Sequence, residues 1–532
     1  GELRWGPADR SKPPWYREQL QNSFISQVSG VGGTTTHYYG NSPRAMPGAF
    51  VGYQGADAGA YDVDHLFPFS YRDLVPYYEW VEATLPVQTA AMGRKEEAFL
   101  EAAATLGIAH QTSKDVTEAA YRPQENAILQ PRKQAGRTSD PDRVIYPRSE
   151  GCTFCGHCYQ GCIAPLRAPR NLKAKRSTDN SYIPMALTAD EWTDGRPVTL
   201  VSDAFAVSID RDASGAARGV TWREGATGAI YSEDASVVVM SCGAIETPRL
   251  WLNSGLPNSN GWVGRGLTDH HFDMVVGLMP DDIGASVGPS SAARIDFPGF
   301  GMIESAVLLP AQAAFTLTFS DSGFDGFYPN GAPVGPQGAD GVGRLPGPAL
   351  KEMLSKLDHI MTALVVTDDD VEFQNGVGLS TGLPPDEHGP VASVVMRQRN
   401  RSQRTRANRD FLVAQAVAML RNAGATMVHR LDWSSLLLHV HSSMRMGVDA
   451  ANSVLDDAAE AREVPRLFLA DNSALANGIG GPNPTLTTQA VATRTAEKIF
   501  QRYFGGDPWV TSEAPVSSID PAVTAAVIEL GL

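Results

Sequence analysis

The stretch from Leu436 to Ala496 constrains this chain more than any other. Leu436, Leu437 and Leu438 lead into His439, and Val440 separates it from His441; so apolar a run reads as a buried strand. An imidazole at its end either is held in the core or leaves the core for a cavity. Forty residues on, Gly480-Gly-Pro-Asn483-Pro-Thr-Leu-Thr487 sets an amide in a rigid Pro-Asn-Pro turn at the mouth of a helix, where free backbone N–H groups favour negative charge. A lone histidine in an apolar run is ordinarily a satisfied core residue. Paired with such an amide it gains another use: a neutral imidazole takes a proton from a hydroxyl while Asn483 hydrogen-bonds the same oxygen.

Three segments follow one another here, His439-x-x-x-x-x-Arg445-Met-Gly447, Leu469-Ala-Asp471-x-Ser473 and Asn483-Pro-x-Leu-Thr487. In that order and near the C-terminal end, they resemble the glucose-methanol-choline (GMC) flavin oxidoreductases. The resemblance implies that His439 is the catalytic base, that Asn483 is its partner, and that Asp471, Asn483, Pro484 and Thr485 lie against FAD. It assigns no role to His441, which is carried as an additional catalytic candidate.

With 532 residues, 42% hydrophobic and 19% charged, the chain is large enough for two domains. A net charge of -15 argues against binding nucleic acid or an anionic membrane surface. No run of apolar residues is long enough to span a membrane, and Gly1-Glu-Leu-Arg-Trp5 has no signal-peptide pattern, so a cytoplasmic location is expected.

Residues 1 to 30 are polar and aromatic without periodicity. The family pattern opens on a strand, a Gly-x-Gly-x-x-Gly turn and a helix that binds the FAD pyrophosphate; Ser29-Gly-Val-Gly-Gly33 has the glycines but no strand before it. The expectation is that this segment is missing, or is supplied by a small N-terminal FAD-binding subunit. Val31-Gly-Gly-Thr-Thr-Thr-His37-Tyr-Tyr-Gly-Asn41 resembles the family's next landmark, the glycine segment beneath the flavin. Paired glycines permit close backbone approach and the hydroxyls can meet polar edges. Gly32, Gly33, Thr34, Thr35 and His37 are thus expected against the cofactor, His37 as a point of covalent attachment.

Four of the five cysteines, Cys152, Cys155, Cys158 and Cys162, lie in a C-x2-C-x2-C-x3-C run. That is the spacing with which ferredoxins hold Fe–S clusters, because short loops let several thiolates converge. It departs from the ferredoxin form in placing Pro165 three residues after the last cysteine, and no second run is present. Four thiolates permit one [4Fe–4S] cluster, three a [3Fe–4S] cluster; a structural zinc site is the alternative, although zinc usually draws on two separated cysteine pairs. The basic stretch after it, with Arg167, Arg170, Lys173, Lys175 and Arg176, reads as a solvated loop.

Ser70-Tyr-Arg-Asp73 is a capped helix start. Strands are expected at Val198–Ser202, Ala206–Asp210 and Gly219–Trp222, and at Ser236–Cys242, which enters a helix through Gly243 with Cys242 as a core thiol. His270 and His271 read as structural. From 272 to 430, alternation in Phe315–Phe319 and Ala363–Thr367 predicts an antiparallel sheet with one wet face, turned at Asn375–Ser380 and Asp386–Pro390 and covered by a helix over Arg406–Ala423. Phe324 to Pro348, rich in Gly and Pro, reads as a lid or partner-binding loop.

The fold expected is α/β (α+β overall): a Rossmann-type FAD-binding domain from 1–70, 150–271 and 431–510, a substrate domain from 71–149 and 272–430, the cysteine loop at 151–165 and a tail at 511–532. The activity expected is oxidation of the CH–OH group of a sugar or other alcohol, the proton going to histidine and hydride to flavin N5. Electrons would leave through the cluster to an external acceptor, as in a dehydrogenase, or pass to oxygen, as in an oxidase. A flavin-containing lyase and a non-redox partner subunit are the other readings.

Overall fold

The structure is a computed structural model that describes residues 4–5, 16–17, 24–53, 60–131, 151–162, 170–319, 335–397, 400–433 and 436–532. Its largest element is an eight-stranded sheet, with Gly341–Val342, Met427–Arg430, Asp273–Leu278, Ile360–Thr367, Gly301–Glu304, Ala293–Phe297, Ala120–Pro123 and Ala109–His110 side by side. The six inner strands pair antiparallel and the two edge strands join in parallel. The helix Gln403–Asn422 packs Leu412, Val413, Ala416 and Leu420 onto Val275, Met361, Ala363 and Val365. Ser402 caps it by accepting from Thr405 N–H.

Neither face of this sheet is wet, contrary to expectation. The other side buries Met274, Val276, Met302, Leu364 and Val366 beneath the helices Pro310–Thr318 and Gly347–Leu354. Phe315–Phe319 is accordingly not a strand. Pro310 starts a helix there, since its missing N–H is no loss in a first turn, and Phe315 and Phe319 stack four residues apart. Gly376–Leu379 is also more than a turn, being a strand paired with Ala392–Val395 outside the large sheet.

The second region is built from short parallel pairs. Val238–Met240 lies parallel to Leu467–Leu469 and runs through Gly243 into the helix Gly243–Asn253. Phe24–Ile25 lies parallel to Leu436–Leu437. An antiparallel ribbon of Ala204–Arg211, Ala217–Glu224 and Ile230–Asp234 flanks them. Val198–Ser202 forms no strand, leaving Val198, Leu200 and Val201 exposed, and Cys242 is exposed rather than a core thiol. Among the described residues there is no strand, Gly-x-Gly-x-x-Gly turn and helix in succession.

The predicted cap at Ser70, which forms a capping box with Asp73, opens the helix Tyr71–Thr84, which packs along Thr485–Phe504. Residues 511–532 include the helix Pro521–Glu529, whose Val523 and Val527 bury against Met185. Residues 163–169 and 320–334, covering Pro165, Arg167 and part of the expected lid, lie outside the described residues.

Candidate active site

His439 follows the short strand Leu436–Leu437, and three contacts fix it. Its N–H donates to Asp269 Oδ1 at 2.9 Å. Its Nδ1 lies 2.8 Å from Nδ1 of His270, and His270 Nε2 lies 3.0 Å from the carbonyl of Gly478. A carbonyl only accepts, so His270 Nε2 carries the proton and a neutral His270 has a bare Nδ1. The hydrogen on the Nδ1–Nδ1 line therefore belongs to His439, which leaves Nε2 of His439 as its lone pair. His441, by the same reasoning, donates from Nδ1 to the His439 carbonyl. Burial, reinforced by the neighbouring His441, pulls the His439 imidazolium down to about 3. Burial also brings His441 down to about 4 and holds His270 well below the usual range. All three rings are neutral at neutral pH.

Asn483 stands just before the helix Thr485–Phe504, whose N-terminus has no side-chain cap. The turn before it passes through left-handed Gly480 and Gly481. A Cβ on Gly481 would come 2.7 Å from Gly301 Cα, so the loop lies backbone to backbone on the large sheet. Gly480 N–H donates to Asp368 at 3.1 Å. The Asn483 amide meets the buried Glu304 carboxyl, and Gln124 Nε2 sits 3.5 Å from Asn483 Oδ1. Burial pushes Glu304 up to about 7 against the opposing pull of Arg294 and of the Gln124, Asn483 and Asn41 amides. His439 and Asn483 are thus referred to one loop, since the carbonyl that fixes His270 is five residues before Asn483.

The glycine segment turns at Gly32 and Gly33, both left-handed, into a short helix Gly33–Thr36. Thr35 and Thr36 donate their hydroxyls to Gly32 and Gly33 carbonyls, and Val28 N–H donates to Thr34 Oγ1, so these side chains hold the turn itself. His37 Nδ1 lies 2.8 Å from the Tyr159 carbonyl and must donate to it, which leaves Nε2 as an acceptor. The buried ammonium of Lys175 donates to the carbonyls of Thr36, Tyr38 and Cys158 at 2.8, 3.0 and 2.8 Å, joining this segment to the cysteine loop. Asp471 accepts from Gly243 N–H at 2.9 Å, Thr247 Oγ1 at 2.6 Å and Ser473 N–H at 2.7 Å. It thereby ties the end of one parallel strand to the helix that follows the other.

The cysteine run gives no support to the expected metal centre. Among the described residues, which include all five cysteines, no three His, Cys, Asp or Glu side chains are arranged to hold a metal ion. Cys152, Cys158 and Cys162 pack instead as apolar groups with Ala91, Ile128, Phe154 and Ala174. Burial pushes the Cys158 thiol up to about 11 and Cys152 well above its usual range. A [4Fe–4S] or [3Fe–4S] cluster, and a zinc site likewise, find no support. Nor is the basic stretch solvated: Lys175 and Arg176 are buried, the latter donating to the Asn171 and Asn180 carbonyls.

The fold is similar to that in the crystal structure of pyridoxine 4-oxidase from Mesorbium loti, with a TM-score of 0.59 at 14% identity over 92% of this chain and 88% of that one. Models described as GMC oxidoreductase match residues 118–272 and 394–492. Paromamine 6'-oxidase of Streptomyces fradiae is 26% identical over 89% of this chain and 78% of its own length. 2-Methyl-1,2-propanediol dehydrogenase of Mycolicibacterium austroafricanum is 27% identical over 90% and 81%. Together these matches make the chain similar to GMC oxidoreductases, a family that normally binds FAD.

The residues present fit the ring end of such a cofactor. A buried helix N-terminus without a side-chain cap offers N–H groups to an electronegative edge, and left-handed glycines at 32 and 33 admit a close neighbour. His439, Asn483 and the glycine segment are legible in the sequence; His270 reads there as structural, and Gln124 and Glu304 carry no sequence signal.

Proposed function

We propose that this chain is an FAD-dependent oxidoreductase that oxidises a CH–OH group, with Nε2 of His439 as the base that takes the hydroxyl proton. The observation that carries this reading is the relay from the Gly478 carbonyl through His270 to His439, which leaves Nε2 of His439 as a lone pair. FAD, when bound, supplies the hydride acceptor. Asn483, whose amide meets the Glu304 carboxyl, orients the substrate oxygen. Burial makes the His439 imidazolium unfavourable, so the proton it accepts is readily passed on. Gly32, Gly33, Thr34, Thr35, His37, Pro484 and Thr485 would hold the cofactor's ring end, and Asp471 would brace the strands behind it.

The relatives' names include both an oxidase and a dehydrogenase; for this chain the electrons taken from the alcohol would pass to oxygen or to an external acceptor. The test is anaerobic reduction of the flavin-loaded protein by alcohols, followed by absorbance, in the parent and in His439→Ala. The expected loss is about 10²- to 10⁴-fold in the reduction rate with flavin content unchanged; bleaching at the parent rate in His439→Ala would overturn the assignment. Oxygen uptake against dye reduction then separates the two electron acceptors.

A further inference from the structure

Three buried carboxamides stand on one face beside Asn483. Asn41 and Asn126 face each other across an antiparallel bridge, flanked by Ser42 N–H to Glu125 O and Ala127 N–H to Gly40 O, both 2.8 Å. Opposed residues between such bonds hold their side chains close together on the same side. Gln124 is two residues from Asn126 in extended chain and shares that side. The contacts agree: Asn41 Nδ2 and Gln124 Nε2 both donate to Glu304, at 3.1 and 3.4 Å, and Gln124 reaches towards Asn483.

Every amide nitrogen in this trio is occupied, that of Asn126 by the Ser291 carbonyl at 2.8 Å. The oxygens are not. Asn41 Oδ1, Gln124 Oε1 and Asn126 Oδ1 are buried without a hydrogen-bond partner. Since the donors fix which end of each amide is which, these are three acceptors and cannot be turned into donors by flipping. A buried acceptor left unpaired costs about 1–3 kcal/mol, so a cluster of three calls for a ligand with several O–H or N–H groups.

Resting on the reading of Asn483 above, we propose that Asn41, Gln124 and Asn126 form the acceptor wall of the substrate site, and that the substrate is a polyhydroxylated or amino-bearing alcohol, not a simple alkanol. An alkyl chain against this wall would leave all three oxygens unpaired, whereas vicinal hydroxyls or an ammonium would satisfy them.

The test uses the flavin-loaded full chain, a dye as electron acceptor, and D-glucosamine, glycerol and 1-octanol as probes. The expected result is a kcat/KM for the two polar probes roughly 100-fold above that for 1-octanol, with Asn126→Leu narrowing the ratio by about tenfold through the loss of the polar substrates. Millimolar D-glucosamine should raise the melting temperature of the parent more than that of Asn126→Leu. Equal efficiency with 1-octanol, or a variant that slows all three probes equally, overturns the proposal and leaves the wall a site for ordered water. Should Asn126→Leu not fold, Asn41→Leu serves the same comparison. If no alcohol reduces the flavin, the oxidation reading fails by itself, and the melting shift still decides whether the wall binds.

Discussion

Nδ1 of His270 lies 2.8 Å from Nδ1 of His439, and only one of the two nitrogens can carry the hydrogen between them. The Gly478 carbonyl, on the far side of His270, decides which. Replacing His270 by Phe removes the acceptor and frees His439 to place its proton on Nε2, where the lone pair is needed. The expected effect is a fall of about 10²-fold or more in kcat with KM little changed, since a wrongly protonated base removes a group needed in the transition state. His270→Asn, whose carboxamide oxygen can accept from Nδ1, should recover part of it. Equal losses in the two variants would show that His270 serves packing alone.

Asp471 receives three hydrogen bonds at the junction of the parallel strands. Asp471→Ala leaves the Gly243 and Ser473 N–H groups unpaired, and the expected loss is roughly 3 kcal/mol of stability. Urea unfolding of Asp471→Ala and Asp471→Asn checks this, the asparagine keeping one acceptor and a smaller loss. A parent-like midpoint for the alanine variant would contradict the bracing role.

At His37, donation from Nδ1 to the Tyr159 carbonyl leaves Nε2 as the nucleophilic nitrogen. Attachment of the flavin there is expected to survive acid precipitation and to appear as flavin mass on the tryptic peptide containing His37. His37→Ala should release the colour into the supernatant. Colour released from the parent itself would rule the bond out.

Stability should fall on acidification. Imidazoles titrating near 6.5 when unfolded are pulled down to about 3 at His439 and about 4 at His441. The unfolded chain binds protons that the folded chain refuses, so stability is complete above 6.5 and is lost as pH falls towards 4 and 3, by up to about 1.4 kcal/mol per pH unit for each ring. Glu304, raised from 4.5 to about 7, acts the other way: it stabilises below 4.5 and loses that contribution as pH rises through 7. Denaturant midpoints measured from pH 4 to 8 should therefore drop on the acid side in the parent, and more steeply in Glu304→Gln. A midpoint flat from pH 6.5 to 4 in both proteins would refute this account.

Local periodicity made the helix over Gln403–Asn422, the Ser70 cap and the Ile360–Thr367 strand readable, because each is decided by neighbours in sequence. Phe315–Phe319 misled because phenylalanines four apart fit either alternation in a strand or one face of a helix, and Pro310 five residues earlier settles the choice. The cysteine spacing was legible but its environment was not, since the apolar partners Ala91 and Ile128 come from other stretches. His270 shows the same limit: its partner is 169 residues away. The amides at 41, 124 and 126 carry no motif, and only pairing between distant strands makes them one surface.

Lys175 places a single positive charge inside the protein, grasped by carbonyls of Thr36, Tyr38 and Cys158. Neither loop can move away without stranding that ammonium, already drawn down to about 8 by burial, among unmatched dipoles. The cysteine loop and the glycine segment are therefore tied into one unit. The sulfur-rich loop thus serves as the keel that keeps the glycine segment from rolling.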